Sequence, residues 1–210
     1  MRTSPHISMS LNGPESRLLR RLSTPRRVQD FLETLRYSHD SGNDMLRSPR
    51  RVLRDRSAHC IEGALLAAAA FWMNGARPLL LDLRSDDDDL DHVVALFKRH
   101  GCWGAVSKTN HAVLRYREPV YRTVRELSLS YFHEYFLNKN GRKTMKDFSE
   151  PYDVVRRHGT GWMTRDDDLW DIAEALDGSR HHPILTARQR KELRPADPVE
   201  ISAGKLVVYR

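Results

Sequence analysis

A long alanine-rich segment between residues 57 and 75 constrains the fold of this chain more than any other part of the sequence. It reads SAHCIEGALLAAAAFWMNG. Ser57 can cap the start of a helix, the alanines favour its continuation, and Asn74-Gly75 can end it. Because the segment is apolar almost all round rather than along one face, the helix should be buried. We therefore predict a helix at the centre of a domain.

Short apolar runs after this helix predict a sheet. Four strands are expected, at residues 77–83, 92–97, 103–107 and 112–116. Further helices are expected after Thr24-Pro25 and Ser48-Pro49, where a hydroxyl cap precedes a proline, and from Pro119 onward. The predicted fold class is α/β (α+β), with a central buried helix packed on an antiparallel sheet and with flanking helices.

The 210 residues fit one domain with irregular ends. Residues 1–15 are rich in Ser, Pro, Asn and Gly and are expected to be disordered. Residues 16–137 should form the core. Because residues 138–146 are polar and basic, we expect residues 138–210 to be a linker and a helical C-terminal appendage, with a helix over 166–176 and a last strand over 206–209.

Composition limits the class of protein. Hydrophobic residues make up 40% of the chain and charged residues 30%, which suits one core under a strongly solvated surface. No stretch reaches the roughly 18 apolar residues that a membrane-spanning helix needs, so no membrane association is expected. The first residues lack the apolar centre of a secretory signal, and two cysteines are typical of a reducing compartment. We therefore expect a cytoplasmic protein.

The formal net charge of +7 raises the question of nucleic-acid binding. The basic residues are scattered, and their densest cluster, residues 47–56, is interrupted by Val52, Leu53 and Asp55. Aromatic residues do not alternate with it as a base-stacking surface would require. A protein or peptide partner or substrate is expected instead of nucleic acid, and the sequence leaves the oligomeric state open.

Cys60 and His92 form the candidate catalytic pair. Cys60 follows the expected Ser57 cap by three residues, which places its thiol in the first turn of the buried helix. Unpaired backbone N–H groups and the helix dipole stabilise a thiolate there. His92 begins a strand after one intervening strand, so it can face the start of the helix as a base. Cys102, beside Trp103, is expected to be a core residue.

These residues also resemble a known family. Cys60-Ile-Glu62 before the alanine-rich helix, Gly75-Ala-Arg77-Pro78 after it, Asp91-His92-Val-Val and Trp103-Gly-Ala-Val-Ser107 are similar to the core of the transglutaminase-like superfamily, which has the papain-like cysteine protease fold. The resemblance covers about residues 35–118. It implies that Cys60 attacks an acyl group and that His92 holds and transfers the proton.

The sequence departs from that family at the residue that orients the histidine. The family has an aspartate at the end of the following strand, whereas this chain has Ser107, with Asn110 three residues later. Papain-type enzymes use an asparagine, so either Ser107 or Asn110 is expected to orient His92. The resemblance implies cysteine-dependent acyl transfer or amide hydrolysis without a cofactor. The alternative is a catalytically inactive transglutaminase-like protein-interaction module.

Metal sites are not predicted. Zinc would require a Cys-x-x-Cys or His-x-x-x-His spacing that the chain does not have. Residues 86–89 are four consecutive aspartates, but they lack the spacing and the glycine of a calcium-binding loop, and a solvated loop is expected.

Overall fold

The computed structural model describes residues 11–38 and 45–208. Residues 1–10 of the segment expected to be disordered lie outside this range. The rest of that segment is ordered, because Leu11 is buried and the Asn12 side chain caps the first helix, α1 (Gly13–Arg21). In turn, the Asn12 backbone N–H donates to the Glu15 carboxylate at 2.8 Å, so two backbone amides at the start of the helix have hydrogen-bond acceptors. The expectation for residues 11–15 is thus corrected.

The first half of the chain continues with α2 (Pro25–Glu33), β1 (Arg36–Tyr37), α3 (Pro49–Asp55), β2 (Ser57–Ala58), α4 (Cys60–Met73), β3 (Leu79–Ser85), β4 (His92–Arg99) and β5 (Cys102–Val106). The second half contains β6 (Arg117–Tyr121), α5 (Val124–Phe132), β7 (Met145–Ser149), β8 (Tyr152–Asp153), α6 (Val154–His158), a 3₁₀ turn (Gly161–Met163), α7 (Trp170–Asp177), β9 (His181–Pro183), α8 (Ala187–Lys191) and α9 (Pro198–Gly204).

The alanine-rich helix α4 is buried at the centre of the fold, as predicted. Its start differs from the prediction, because Ser57 lies in β2, which pairs in parallel with β1, and His59 occupies the N-cap position. Cys60 is therefore the first helical residue. At the other end the Asn74 side chain donates to the Ala70 carbonyl at 2.8 Å, and Gly75 takes the left-handed conformation that ends the helix.

The main sheet is antiparallel, with strand order β6-β5-β4-β3-β7-β9 and with β8 also paired to β3. Helix α4 packs on one face, against alternate residues such as Leu80 of β3 and Ala95 of β4. Helix α5 packs on the other face, against Leu81 and Val94. The α+β class with a central helix on an antiparallel sheet is confirmed. No helix within the described residues has both the length and the apolar character needed to cross a bilayer.

Of the two elements predicted between residues 112 and 132, the strand is wrong, and the helix is present as α5 but begins later than expected, at Val124. Residues 112–116 form a loop, because Leu114 has a left-handed φ of 59° and its N–H donates to Glu134 at 2.6 Å instead of to a neighbouring strand. Pro119 lies in the edge strand β6 instead of starting a helix. An edge strand tolerates a proline, since the missing N–H can face away from the sheet.

The C-terminal third is part of the core, which corrects the expected appendage over residues 138–210. Strand β7 pairs with the central strand β3, with Leu83 opposite Phe148, and β9 extends the sheet beyond β7. Ile172 and Leu176 of α7 are buried in the same core as α4. The helix expected over residues 166–176 begins later, at Trp170.

The last predicted strand, over residues 206–209, is only partly realised. Val207 forms a single antiparallel bridge with His111, and the Val208 N–H donates to the Asn110 carbonyl at 2.8 Å. Tyr209 lies outside the described residues. The chain end is thus held against the loop that follows β5.

Candidate active site

A cavity of about 420 Å³ lies at the N-terminal end of α4. Cys60 and His92 both line it, so the structure brings the predicted pair together. The opposite wall comes from the C-terminal third of the chain. Its lining residues there include Asn138, Trp170, Ala173, Leu176, Asp177 and Gly204.

Cys60 is a partly exposed residue at the first position of α4. The imidazoles of His59 and His92 line the same cavity, and both act on the pKa of its thiol. Burial alone would raise the pKa of Cys60, but hydrogen bonds and opposite charge from the two imidazoles outweigh it and lower the pKa to about 5. The free N–H groups of the first helical turn act in the same direction. Cys60 is therefore set up as a thiolate at neutral pH.

His59 is a second imidazole that the sequence did not predict for the site. Its Nε2 lies 3.2 Å from the Met45 carbonyl oxygen and 3.6 Å from the Glu62 carboxylate. Burial acts to lower the pKa of His59, but the contacts with Cys60 and Glu62 outweigh it and raise the pKa to about 9. His59 is thus a cation beside the thiolate. Its position, immediately before Cys60, is the one sequence signal that could have identified it.

The buried ion pair between Arg47 and Glu62 lies next to His59. Glu62 is fully buried and Arg47 is 5% exposed. Arg47 Nε and Nη2 donate to the two Glu62 oxygens at 2.8 and 2.9 Å, and the Arg47 backbone N–H adds a third bond at 2.8 Å. The His59 backbone N–H also donates to Glu62, at 3.0 Å. Glu62 therefore fixes the start of α4 and supplies negative charge next to the His59 ring.

The His92 ring is 5% exposed and is oriented by Ser107. His92 Nε2 lies 2.8 Å from Ser107 Oγ, which also lies 2.5 Å from the Leu114 carbonyl oxygen. Because a carbonyl can only accept, the single hydroxyl proton of Ser107 goes to Leu114. Ser107 must then accept from His92 Nε2, which leaves Nδ1 as the nitrogen free to exchange a proton with Cys60. Ser107 is therefore a neutral positioning group for His92.

Gln29 holds Ser107 in place. The Ser107 N–H donates to Gln29 Oε1 at 3.0 Å, and Gln29 Nε2 donates to the Ser107 carbonyl at 2.9 Å. The other expected orienting residue, Asn110, is buried and accepts the Val208 N–H on its carbonyl. Asn110 is not one of the residues that line the cavity, and His92 Nε2 is already engaged by Ser107.

Cys102 lies at the opposite end of strand β4 from His92. It pairs with Arg99, the last residue of β4, whereas His92 is the first residue of that strand. Cys102 is partly exposed instead of buried in the core as expected, and both cysteines are free thiols. Cys102 therefore cannot contribute to the chemistry at Cys60.

The run of aspartates at residues 86–89 is held by protein groups. Arg142 binds Asp86 and also Asp88, the latter at 2.6 Å, and Thr144 donates to Asp89 at 2.6 Å. The carboxylates that cluster closely enough to share a cation are instead those of Asp82, Asp91 and Asp177, with one oxygen of each within 4.8 Å of the others. This cluster lines the same cavity as Cys60.

Comparison with protein-family models and with curated proteins finds no match to this chain. The chemistry of the site is therefore argued from its contacts. A partly exposed thiolate at a helix N-terminus, with one cationic imidazole and one hydrogen-bonded imidazole, can act as a nucleophile toward an acyl carbon.

Proposed function

We propose that this chain is a cysteine-dependent acyl-transfer or amide-hydrolysing enzyme of the transglutaminase-like, papain-related type. The observation that supports it most is that Cys60, His59 and His92 line one cavity at the start of α4, where the two imidazoles lower the pKa of the Cys60 thiol to about 5. A structural cysteine has no need of two imidazoles, and a buried one is ordinarily inert. The proposed substrate is an amide or related acyl bond of a protein or peptide.

The reaction follows from the ring orientation of His92. In the resting pair the proton given up by Cys60 is held on His92 Nδ1, and the thiolate sulfur forms a bond to the acyl carbon while the carbonyl electron pair moves to oxygen. The N–H groups at the start of α4 stabilise that oxygen. The C–N bond then breaks, and the amine leaves with the proton from His92 Nδ1. A thioester on Cys60 remains.

The second half reverses these roles. His92 Nδ1 takes a proton from water or from a second amine, which attacks the thioester carbon. The C–S bond breaks with its electron pair going to sulfur, so Cys60 is again a thiolate and the proton stays on His92 Nδ1 as the acid or the new amide leaves. Water gives hydrolysis and an amine gives acyl transfer, and the same groups serve both.

The distribution of charge replaces the orienting aspartate of the family. The group that contacts His92 Nε2 is the neutral hydroxyl of Ser107, so no anion stabilises the His92 imidazolium from that side. On the other side of the thiolate stands His59, which is paired with the buried Glu62 carboxylate. In the proposed mechanism His59 stabilises the thiolate, while His92 transfers the proton.

Acetylation by p-nitrophenyl acetate tests the proposal. The full chain is mixed with the ester at pH 7, quenched in acid and digested, and the acetyl group is located by mass spectrometry. The expected result is a thioester on Cys60, with a burst of nitrophenol that is lost in Cys60→Ala and retained in Cys102→Ala. Absence of an adduct at Cys60 would contradict the enzyme and favour the catalytically inactive interaction module.

A further inference from the structure

The cavity beside Cys60 is acidic, although the chain as a whole carries a net charge of +7. The lining contains no lysine or arginine among the described residues. Its charged groups other than histidines are carboxylates. They belong to Asp82, Asp89, Asp91, Glu134 and Asp177. A concave surface of one sign concentrates ligands of the opposite sign, so the charge favours a cationic ligand.

Asp82 gives this wall a specific feature. Its side chain is only 3% exposed, and one oxygen, Oδ2, lies 3.2 Å from His181 Nε2. The other oxygen, Oδ1, is buried and has no hydrogen-bond partner in residues 11–38 and 45–208. A buried carboxylate oxygen without a donor is unfavourable in free energy. A ligand that donates a hydrogen bond to Oδ1 would remove that penalty.

Two neighbouring carboxylates each keep one oxygen available. Asp91 Oδ1 accepts from the Ser85 N–H at 2.8 Å and from its hydroxyl at 3.2 Å, which leaves Oδ2. Asp177 Oδ1 accepts from Arg84 Nη1 at 3.2 Å, which again leaves Oδ2. With Asp82 they line the same cavity, and one carboxylate oxygen of each lies within 4.8 Å of the others.

Three acceptors suit an organic cation better than a metal ion. Calcium takes six to eight oxygen ligands, and half of the oxygens in this cluster are already engaged by protein donors. An ammonium group has three N–H donors, one for each of three acceptor oxygens, and a guanidinium group has five N–H donors in a plane.

We propose that Asp82, Asp91 and Asp177 bind the ammonium or guanidinium group of a cationic substrate. That this ligand is also the molecule whose acyl group Cys60 attacks rests on the proposed function. The enzyme would then act on acyl groups close to a lysine- or arginine-like side chain, because both sites open into one cavity.

Equilibrium binding to the full-length Cys60→Ala chain tests the cation site without any chemistry at the thiol. The probes are Nα-acetyl-arginine amide, Nα-acetyl-lysine amide and the neutral Nα-acetyl-citrulline amide, titrated in a calorimeter at pH 7. At least one cationic amide should bind about tenfold or more tightly than the citrulline amide, as expected for hydrogen bonds between charged groups. The preference should weaken as salt is added.

Three variants assign the binding to this wall. Asp82→Asn and Asp177→Asn should each lose most of the preference, and Asp177 is the safer change because its carboxylate is exposed. Asp87→Asn is the matched control, since Asp87 is exposed and does not line the cavity. Equal binding of cationic and citrulline amides would overturn the site. So would a preference unchanged in both variants, or displacement of the amides by stoichiometric CaCl₂.

The two experiments distinguish failure of the cation site from failure of the proposed thiol chemistry. Cation-selective binding to Cys60→Ala without acetylation of Cys60 in the unmodified chain would support the cation site and refute the enzyme. Acetylation of Cys60 without any preference for cationic amides would refute the cation site and leave the thiol chemistry standing.

Discussion

His92 donates its Nε2 hydrogen to the hydroxyl of Ser107 over 2.8 Å, and that hydroxyl donates onward to the Leu114 carbonyl. The direction of this short chain fixes which ring nitrogen of His92 faces the cavity. A neutral hydroxyl thus orients the imidazole, where an aspartate would also have supplied a charge.

Replacing Ser107 with Ala should destabilise the fold. The buried His92 ring would keep its N–H but lose the acceptor, and an unsatisfied buried donor costs about 1–3 kcal/mol in the free energy of unfolding. Urea unfolding measures this. Ser202→Ala is the control, because Ser202 donates to a carbonyl at an exposed position of α9. Equal stability of the two variants would show that the Ser107 contact is not needed.

Replacing His59 with Gln should make Cys60 less acidic. The imidazolium of His59 stabilises the thiolate, so its loss should raise the pKa of Cys60 by about one to three pH units. The pH dependence of alkylation by iodoacetamide reports this pKa. His133→Gln is the control, since His133 is exposed and does not line the cavity. If the alkylation profile of His59→Gln matches that of the control, His59 does not stabilise the thiolate.

The buried Arg47–Glu62 pair should be essential for stability. Glu62→Gln keeps the shape of the side chain but leaves the buried Arg47 guanidinium with only the partly exposed Asp55 carboxylate, at 3.6 Å, as a counter-charge. Breaking such a pair costs about 3–5 kcal/mol, which should appear as a lower urea midpoint. Glu192→Gln removes an exposed partner of Arg188 and should change the unfolding free energy by less than about 1 kcal/mol. A similarly small effect of Glu62→Gln would refute the structural role of the pair.

The sequence predicted those parts of the fold whose signal is local. Helix α4 and strands β3, β4 and β5 are apolar segments whose length and flanking residues predict a helix and three strands. Strand β7 could not be predicted, because MKDFS is short and its two charged residues, Lys146 and Asp147, are adjacent instead of alternating with apolar ones. Its place in the sheet depends on pairing with β3, which is distant in sequence.

In the candidate site, too, the residues with a local sequence signal could be predicted, and those that depend on distant contacts could not. Cys60 and His92 were predicted from the start of a helix and the start of a strand. The contribution of His59 depends on Glu62 and on Arg47, which lies in the segment before α3, and apart from its place next to Cys60 the sequence does not indicate it. The choice between Ser107 and Asn110 as the partner of His92 required the ring orientation that only the structure gives.

A chain that ends at residue 138 should fail to fold cooperatively. It would lack β7, which covers one side of the central strand β3, and α7, which buries Ile172 and Leu176 against the core. The expected result is loss of the sharp thermal transition and of the near-ultraviolet circular dichroism shown by the full chain. A sharp transition in the truncated chain would mean that the C-terminal third is an appendage.

The pH at which Cys60 becomes a thiolate separates a nucleophilic cysteine from a structural one most directly. Because the pKa is lowered, Cys60 should be deprotonated through the neutral range and gain a proton only as the pH falls through about 5. The measurement is the rate of iodoacetamide alkylation at Cys60 from pH 4 to pH 10 in a Cys102→Ala chain. A midpoint near pH 5 is predicted. A midpoint near the ordinary cysteine pKa of about 8.5 would contradict the proposed thiolate and the enzyme built on it.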